Sequence, residues 1–229
     1  MCGKNGEFMN DRKNKNSIIA AVSLMLILVS FFTAVKFLSG IVEEHYETVK
    51  TVCLDAGHGA DDCGAISSDG TRIEKDDNLR LTLQIKDKLE EMGINVVMTR
   101  DSDSDITLKE RCRLANRKRC DFFLSVHRNS AVSGSGFEAW IAKEPKADEK
   151  QTAEKLVSAL SEISGLPNRG VKLGYRSADG NNYYVNSNTN MPSILLEVGF
   201  VTNGEDNKSF DKDLDENAEA SAKIIAESI

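Results

Sequence analysis

TVCLDAGHG occupies residues 51–59. Its first six residues are a short, mostly apolar run, and two glycines then bracket a histidine. A run of this length ending in glycine reads as a buried strand. Glycine permits backbone angles and close approaches that other residues resist, so His58 can sit on a tight loop with its ring turned away from the chain. Residues 57–73 continue as a loop rich in Gly, Asp and Ser. Residues 75–92 then carry Leu81, Ile85, Leu89 and Met92 at helical spacing, with Gly93 as a stop. The first unit is therefore strand, glycine loop, helix.

The pattern repeats downstream. INVVMT (94–99) reads as a strand and RDSDSD as a loop. Thr107 and Glu110 fit a capping box, opening a helix with Leu108, Cys112 and Ala115 on one face. DFFLSVH (121–127) and GFEAWIA (136–142) read as strands. Residues 148–164 form a helix with Ala153, Leu156, Leu160 and Ile163 inward. A short strand is expected at 182–185, and SILLEV (193–198) is a buried strand. The last helix, about 214–229, aligns Leu214, Ala218, Ile225 and Ile229. Strands alternating with helices predict a single α/β domain with a largely parallel sheet covered on both faces. Ligands of such sheets gather beyond the carboxyl ends of strands.

The N-terminal region differs. Residues 17–35 are nineteen residues without a charge, and the apolar character continues past Lys36. That length crosses about 30 Å of hydrocarbon. Lys4, Arg12, Lys13 and Lys15 precede the span and EEHYE follows it, so the positive-inside bias puts residues 1–16 in the cytoplasm. The expected order is a cytoplasmic tail at 1–16, a transmembrane anchor at 17–42, a linker at 43–49 and a catalytic domain at 50–229. A retained single-pass anchor with the domain outside the cell is preferred to a cleaved signal, because Phe32 spoils the −3 position of the nearest cleavage site. Cleavage would make the domain a secreted one.

Charge narrows the partners. The chain carries −7 overall and residues 1–40 carry +3, leaving −10 on residues 41–229. A field of that sign disfavours nucleic acid. The cysteines, at 2, 53, 63, 112 and 120, form no C-x-x-C pair, so a four-cysteine metal site is disfavoured. Cys53 and Cys112 read as small buried hydrophobes.

Two of the three histidines, His58 and His127, sit at strand ends. Two imidazoles make half of a tetrahedral zinc site, and His₂Glu with an open position is a catalytic set. Glu74 is the third ligand best placed by sequence, at the start of the helix after the glycine loop. An ordinary carboxylate favoured by the helix dipole is the alternative. Glu197 interrupts an otherwise buried strand. Buried carboxylates are rare unless paired or functional, so Glu197 is either a general base or a salt-bridged structural acid.

VCLDAGHG, EKDDN (74–78), LSVHRNS (124–130), NRGVK (168–172) and MPSILLEVGFVTN (191–203), in that order, resemble the zinc-dependent N-acetylmuramoyl-L-alanine amidases of the amidase-3 family. The resemblance covers about residues 50–228. It implies a mixed, mainly parallel six-stranded sheet, and zinc held by His58, Glu74 and His127. It implies Glu197 as the catalytic carboxylate and peptidoglycan as substrate, cut between the lactyl group of N-acetylmuramic acid and L-alanine. Cell-wall remodelling, including spore-wall building, is the process implied; any protein activator is unknown. Asn129 and Arg169 are candidates for substrate contact, with a structural ion pair the alternative for Arg169. Asp55 is read as an acceptor orienting a histidine or, by preference, as a cap on the loop backbone.

Two departures from the family pattern stand out. Arg128 replaces a small residue after His127, which is expected to alter contacts near the cleft. Ala60-Asp61-Asp62 replaces a second glycine after GHG. A catalytically silent peptidoglycan-binding scaffold and a zinc peptidase acting within the stem peptide are the competing functions.

Overall fold

The computed structural model describes residues 21–38, 49–175 and 181–229. The chain divides into two units, Met1–Thr48 and Val49–Ile229. In the first, helix α1 (Ala21–Leu38) has a mean hydropathy of 2.2 and is long and apolar enough to cross a membrane. The expected cytoplasmic tail, the ends of the expected anchor, and most of the linker lie outside the described residues.

The second unit is a single α/β domain. Its elements run β1 (Thr51–Ala56), α2 (Glu74–Glu91), β2 (Asn95–Met98), α3 (Leu108–Lys118), β3 (Phe122–Asn129), β4 (Phe137–Ile141), α4 (Glu149–Ser164), β5 (Asn168–Leu173), α5 (Tyr184–Asn188), β6 (Ser193–Phe200), α6 (Gly204–Lys212) and α7 (Leu214–Ala226). The six strands form one sheet in the order β2-β1-β3-β6-β4-β5. β1, β2, β3 and β6 are parallel. β4 is antiparallel to β6 and parallel to β5, so β4 and β5 run against the rest. The carboxyl ends of β1, β3 and β6 therefore share one edge of the sheet with the starts of β4 and β5.

Alternation along the strands divides the side chains between two faces. Val52, Leu54, Leu124, Val126, Leu196, Val198 and Ala139 enter the larger core with the apolar sides of α2, α4 and α7. Cys53, Phe123, Leu195 and Trp140 enter the smaller core, with Cys112 and Ala115 of α3 and Val185 of α5. The described cysteines, Cys53, Cys63, Cys112 and Cys120, are free thiols. α3 opens on the expected capping box, Thr107 accepting from the Glu110 amide while Glu110 reaches back. Leu108, expected on its inner face, is instead exposed and lines a cleft.

Three elements depart from the sequence reading. Residues 184–188 form one helical turn where a strand was expected. NRGVKL is a sixth strand, β5, at the sheet edge. α6 had no apolar period to reveal it, its only large apolar residue being Phe210, which is buried. Asn203 caps it by accepting from the Glu205 and Asp206 amides.

Arg128 corrects a further expectation. It follows His127, so the pleat sends its side chain to the opposite face. There it is buried, paired with Asp77, donating to Asn207 at 2.7 Å and lying 4.4 Å above the Phe210 ring. Burial lowers its pKa to about 10. Its guanidinium is an internal strut, while its backbone lines the cleft and its amide donates to Glu74. Arg128→Ala removes one of the two arginines that compensate Asp77 and is expected to cost about 3 kcal/mol, read as a lower denaturant midpoint. A midpoint within experimental error of wild type would show that Arg72 alone suffices.

Candidate active site

The carboxyl edge of the sheet opens into a cleft of about 730 Å³. Its polar floor is built from β1, α2, β3 and β6. β1 ends at Ala56 and the chain turns sharply. His58 adopts φ 64°, a left-handed conformation costly for a residue with a Cβ. The turn is over-determined from outside. Arg111 donates to the carbonyls of Ala56 and His58 at 2.7 and 2.8 Å. Arg100 donates to those of Ala56 and Gly57 at 2.8 and 2.9 Å. Asp55, buried beneath, accepts from Arg111, Ser125 and Thr99, each at 2.6 Å. Burial would raise the Asp55 pKa, but Arg111 and the two hydroxyls hold it below the usual carboxylate range.

Asp55 therefore serves the loop through Arg111 and does not orient a histidine. That position belongs to Asp62, whose carboxylate lies 2.8 Å from His58 Nδ1. Asp62 comes from the segment that departs from the family pattern, so the departure supplies a partner rather than removing one.

Glu74 begins α2 and reaches back over the strand ends. Its Oε1 lies 3.1 Å from His58 Nε2 and 3.1 Å from His127 Nδ1. The same oxygen accepts from the Arg128 amide at 3.1 Å, and Oε2 accepts from the Ala65 amide at 2.8 Å. Burial opposes ionisation of Glu74, but the two imidazoles outweigh it and hold the carboxyl well below its ordinary range. Burial likewise disfavours a charged His58, yet Glu74 and Asp62 raise its pKa to about 9. One ligand atom from each of His58, Glu74 and His127 lies within 4.8 Å of the others.

The surroundings fit a metal ion in two ways. The donor set is two imidazoles and a carboxylate, that of open catalytic zinc sites. The backbone is also pressed against those donors. A Cβ on Gly57 would come within 2.2 Å of the His127 ring, and one on Gly64 within 2.7 Å of both Glu74 and His58. Gly57→Ala is expected to displace the His127 ring and lower bound metal per chain at least about tenfold, with far-ultraviolet circular dichroism unchanged. Metal content equal to wild type would mean that the ring yields without loss.

Glu197 lies on β6 opposite His127 of β3, and both line the cleft. It is 6% exposed. Asn129 also lines the cleft, its amide donating to Glu138 at 2.9 Å. Arg169 is engaged in an ion pair, donating to Glu138 at 2.8 Å and lying 5.0 Å from the Phe200 ring. Glu138, Arg100, Arg111 and Asp62 were not singled out by sequence. The opposite wall includes Leu108, Tyr175, Tyr183 and Tyr184. Tyr183 stacks edge-on against Trp140 and Tyr175, at 5.5 and 4.6 Å.

A buried catalytic-type carboxylate beside a His₂Glu cluster suits hydrolysis assisted by a metal ion. Comparison with known proteins points to amide hydrolysis. The family profile described as N-acetylmuramoyl-L-alanine amidase matches residues 52–229. The uncharacterized protein YqiI of Bacillus subtilis (strain 168) is 38% identical over 159 residues, covering 69% of this chain and 73% of that one. The N-acetylmuramoyl-L-alanine amidase LytC of the same organism is 34% identical over 160 residues, 69% of this chain but 30% of that one. The crystal structure of an N-acetylmuramoyl-L-alanine amidase from Clostridium difficile 630 is 32% identical, with a TM-score of 0.71. The match covers 79% of this chain and 97% of that one.

Proposed function

The chain belongs to the N-acetylmuramoyl-L-alanine amidase family, and from that premise we propose that it hydrolyses the amide between N-acetylmuramic acid and L-alanine in peptidoglycan, with zinc as cofactor and Glu197 as general base and acid. One observation carries the reading: the His58, Glu74 and His127 ligand atoms converge within 4.8 Å in the cleft that Glu197 lines from the strand beside His127.

His58, Glu74 and His127 would hold the metal, which when bound supplies Lewis-acid polarisation of the carbonyl and a lowered water pKa. This chain's residues supply the rest. Glu197 takes the proton of the attacking water and returns it to the departing alanine nitrogen. Asp62 at Nδ1 of His58 fixes the tautomer that leaves Nε2 available to a ligand. Arg111 and Arg100 lock the loop that presents His58, so the cleft is organised before substrate enters. Asn129 is proposed as a substrate contact. Arg169 is assigned to structure, since its guanidinium is committed to Glu138.

We further infer that α1 is a retained anchor holding residues 50–229 outside the cell, so that tethering concentrates the enzyme at the wall. Membrane fractionation of the tagged chain checks this, and a processed form in the medium would refute it. For the chemistry, the full chain in detergent is incubated with zinc and purified peptidoglycan, and the products are analysed by mass spectrometry. Free stem peptides beginning with alanine, with glycan strands intact, support amidase action. Cuts inside the stem would make it a peptidase. No products from zinc-loaded protein would favour a silent scaffold.

A further inference from the structure

Glu138 is a buried carboxylate, 3% exposed, with no place in the chemistry above. It is the second residue of β4, directly opposite Glu197 of β6 in an antiparallel pair. Opposed residues of such a pair share a face, with Cβ atoms about 5 Å apart. Glu138 and Glu197 are thus neighbours on the cleft side of the sheet.

Three donors from three strands converge on Glu138. Asn129 Nδ2 of β3 and Trp140 Nε1 of β4 donate to its Oε1 at 2.9 and 3.0 Å. Arg169 Nε of β5 donates to Oε2 at 2.8 Å. Burial opposes the charge, but these three partners hold the carboxyl below its ordinary range, so it stays an acceptor for all of them. A structural ion pair would need only Arg169. The bond to Asn129 crosses over β6 to a strand that is not a neighbour of β4. It reaches β3 where the ladder is irregular: the register shifts between His127 and Asn129, and Gly199 opposite has φ 71°. This irregular step lies two residues beyond His127, where Asn129 forms part of the cleft wall.

We propose that Glu138 is a positioning residue: it fixes the Asn129 side chain in the cleft wall beside Glu197, so that β4 sets the geometry of the strand ends that do the chemistry. The proposal rests on the amidase reading. It predicts a change in turnover rather than in fold or metal content, because Glu138 touches none of the metal-binding groups.

The test compares Glu138→Ala and Glu138→Gln with wild type in the full chain, using a soluble muramyl peptide that carries the lactyl–alanine amide. Glu138→Ala is expected to lower kcat about tenfold or more, with KM within about twofold and metal per chain unchanged. Glutamine keeps a carbonyl acceptor for Asn129 and Trp140 and is expected to restore most of that loss. Trp140 is the only tryptophan, so its single indole N–H resonance reports the same bond. It should shift in Glu138→Ala and lie near the wild-type position in Glu138→Gln.

Wild-type kcat in a folded Glu138→Ala would overturn the proposal. So would a loss that tracks falling metal content and is not restored by glutamine. If Glu138→Ala does not fold, Asn129→Ala removes the other end of the bond and must show a kcat loss at least as large, with any rise in KM belonging to its own substrate contact; unchanged kcat there also overturns the proposal. No turnover by the wild-type chain would instead overturn the amidase reading, and this proposal with it.

Discussion

Glu197→Ala is expected to lower turnover on the order of 10³-fold, with bound metal and melting temperature close to wild type. General acid–base catalysis contributes roughly 10² to 10⁴ in rate, and Glu197 is asked to move a proton twice. It is not among the three converging ligands, so its loss leaves the metal site intact. Its strand is held by pairing on both sides, to β3 and to β4, so truncating one side chain does not release it. Steady-state rates on a muramyl peptide, with metal analysis of the same samples, decide the matter. More than a tenth of wild-type turnover would remove Glu197 from the mechanism. A parallel fall in bound metal would recast it as a ligand.

Glu74→Ala should be as damaging by another route. The Glu74 carboxylate lies between the two imidazoles and also accepts from the Ala65 and Arg128 amides. Alanine removes a proposed ligand and leaves the buried Arg128 amide and the part-buried Ala65 amide without this acceptor. Metal affinity is expected to fall more than about 100-fold, beyond the range for losing a mere supporting partner. Chelation should silence the wild-type chain and added zinc should revive it, while the same zinc leaves Glu74→Ala silent. A variant that retains metal through dialysis would show that the two histidines suffice.

Much of the arrangement was legible because strand ends are legible. Apolar runs closing on His58 and His127 placed two imidazoles at one sheet edge, and the helix start placed Glu74 near them. Other features depended on direction and distance, which apolar patterning does not encode. GFEAWIA reads as a strand either way round, and only its antiparallel pairing with β6 brings Glu138 and Arg169 to the cleft edge. A parallel β4 would have left them at the far end. Asp55 drew notice beside a histidine, yet its partner Arg111 stands on a helix 56 residues later. The direction of the Arg128 side chain was missed by neglect of the pleat, which its position one residue after His127 already contained. Asp62 hid in a loop that looked like a loss of glycine.

The order of strands in the sheet differs from their order in the chain. β2-β1-β3 and β4-β5 are two separate half-sheets until β6, the last strand made, enters between them. That strand carries Glu197. A chain emerging from its N-terminus displays His58, Glu74 and His127 well before Glu197. Closing the sheet requires contacts between segments far apart in sequence, which form late and slowly. On the proposed mechanism, assembly itself would act as a delay: the three converging side chains are made early, but hydrolytic competence would wait for the strand that completes the domain.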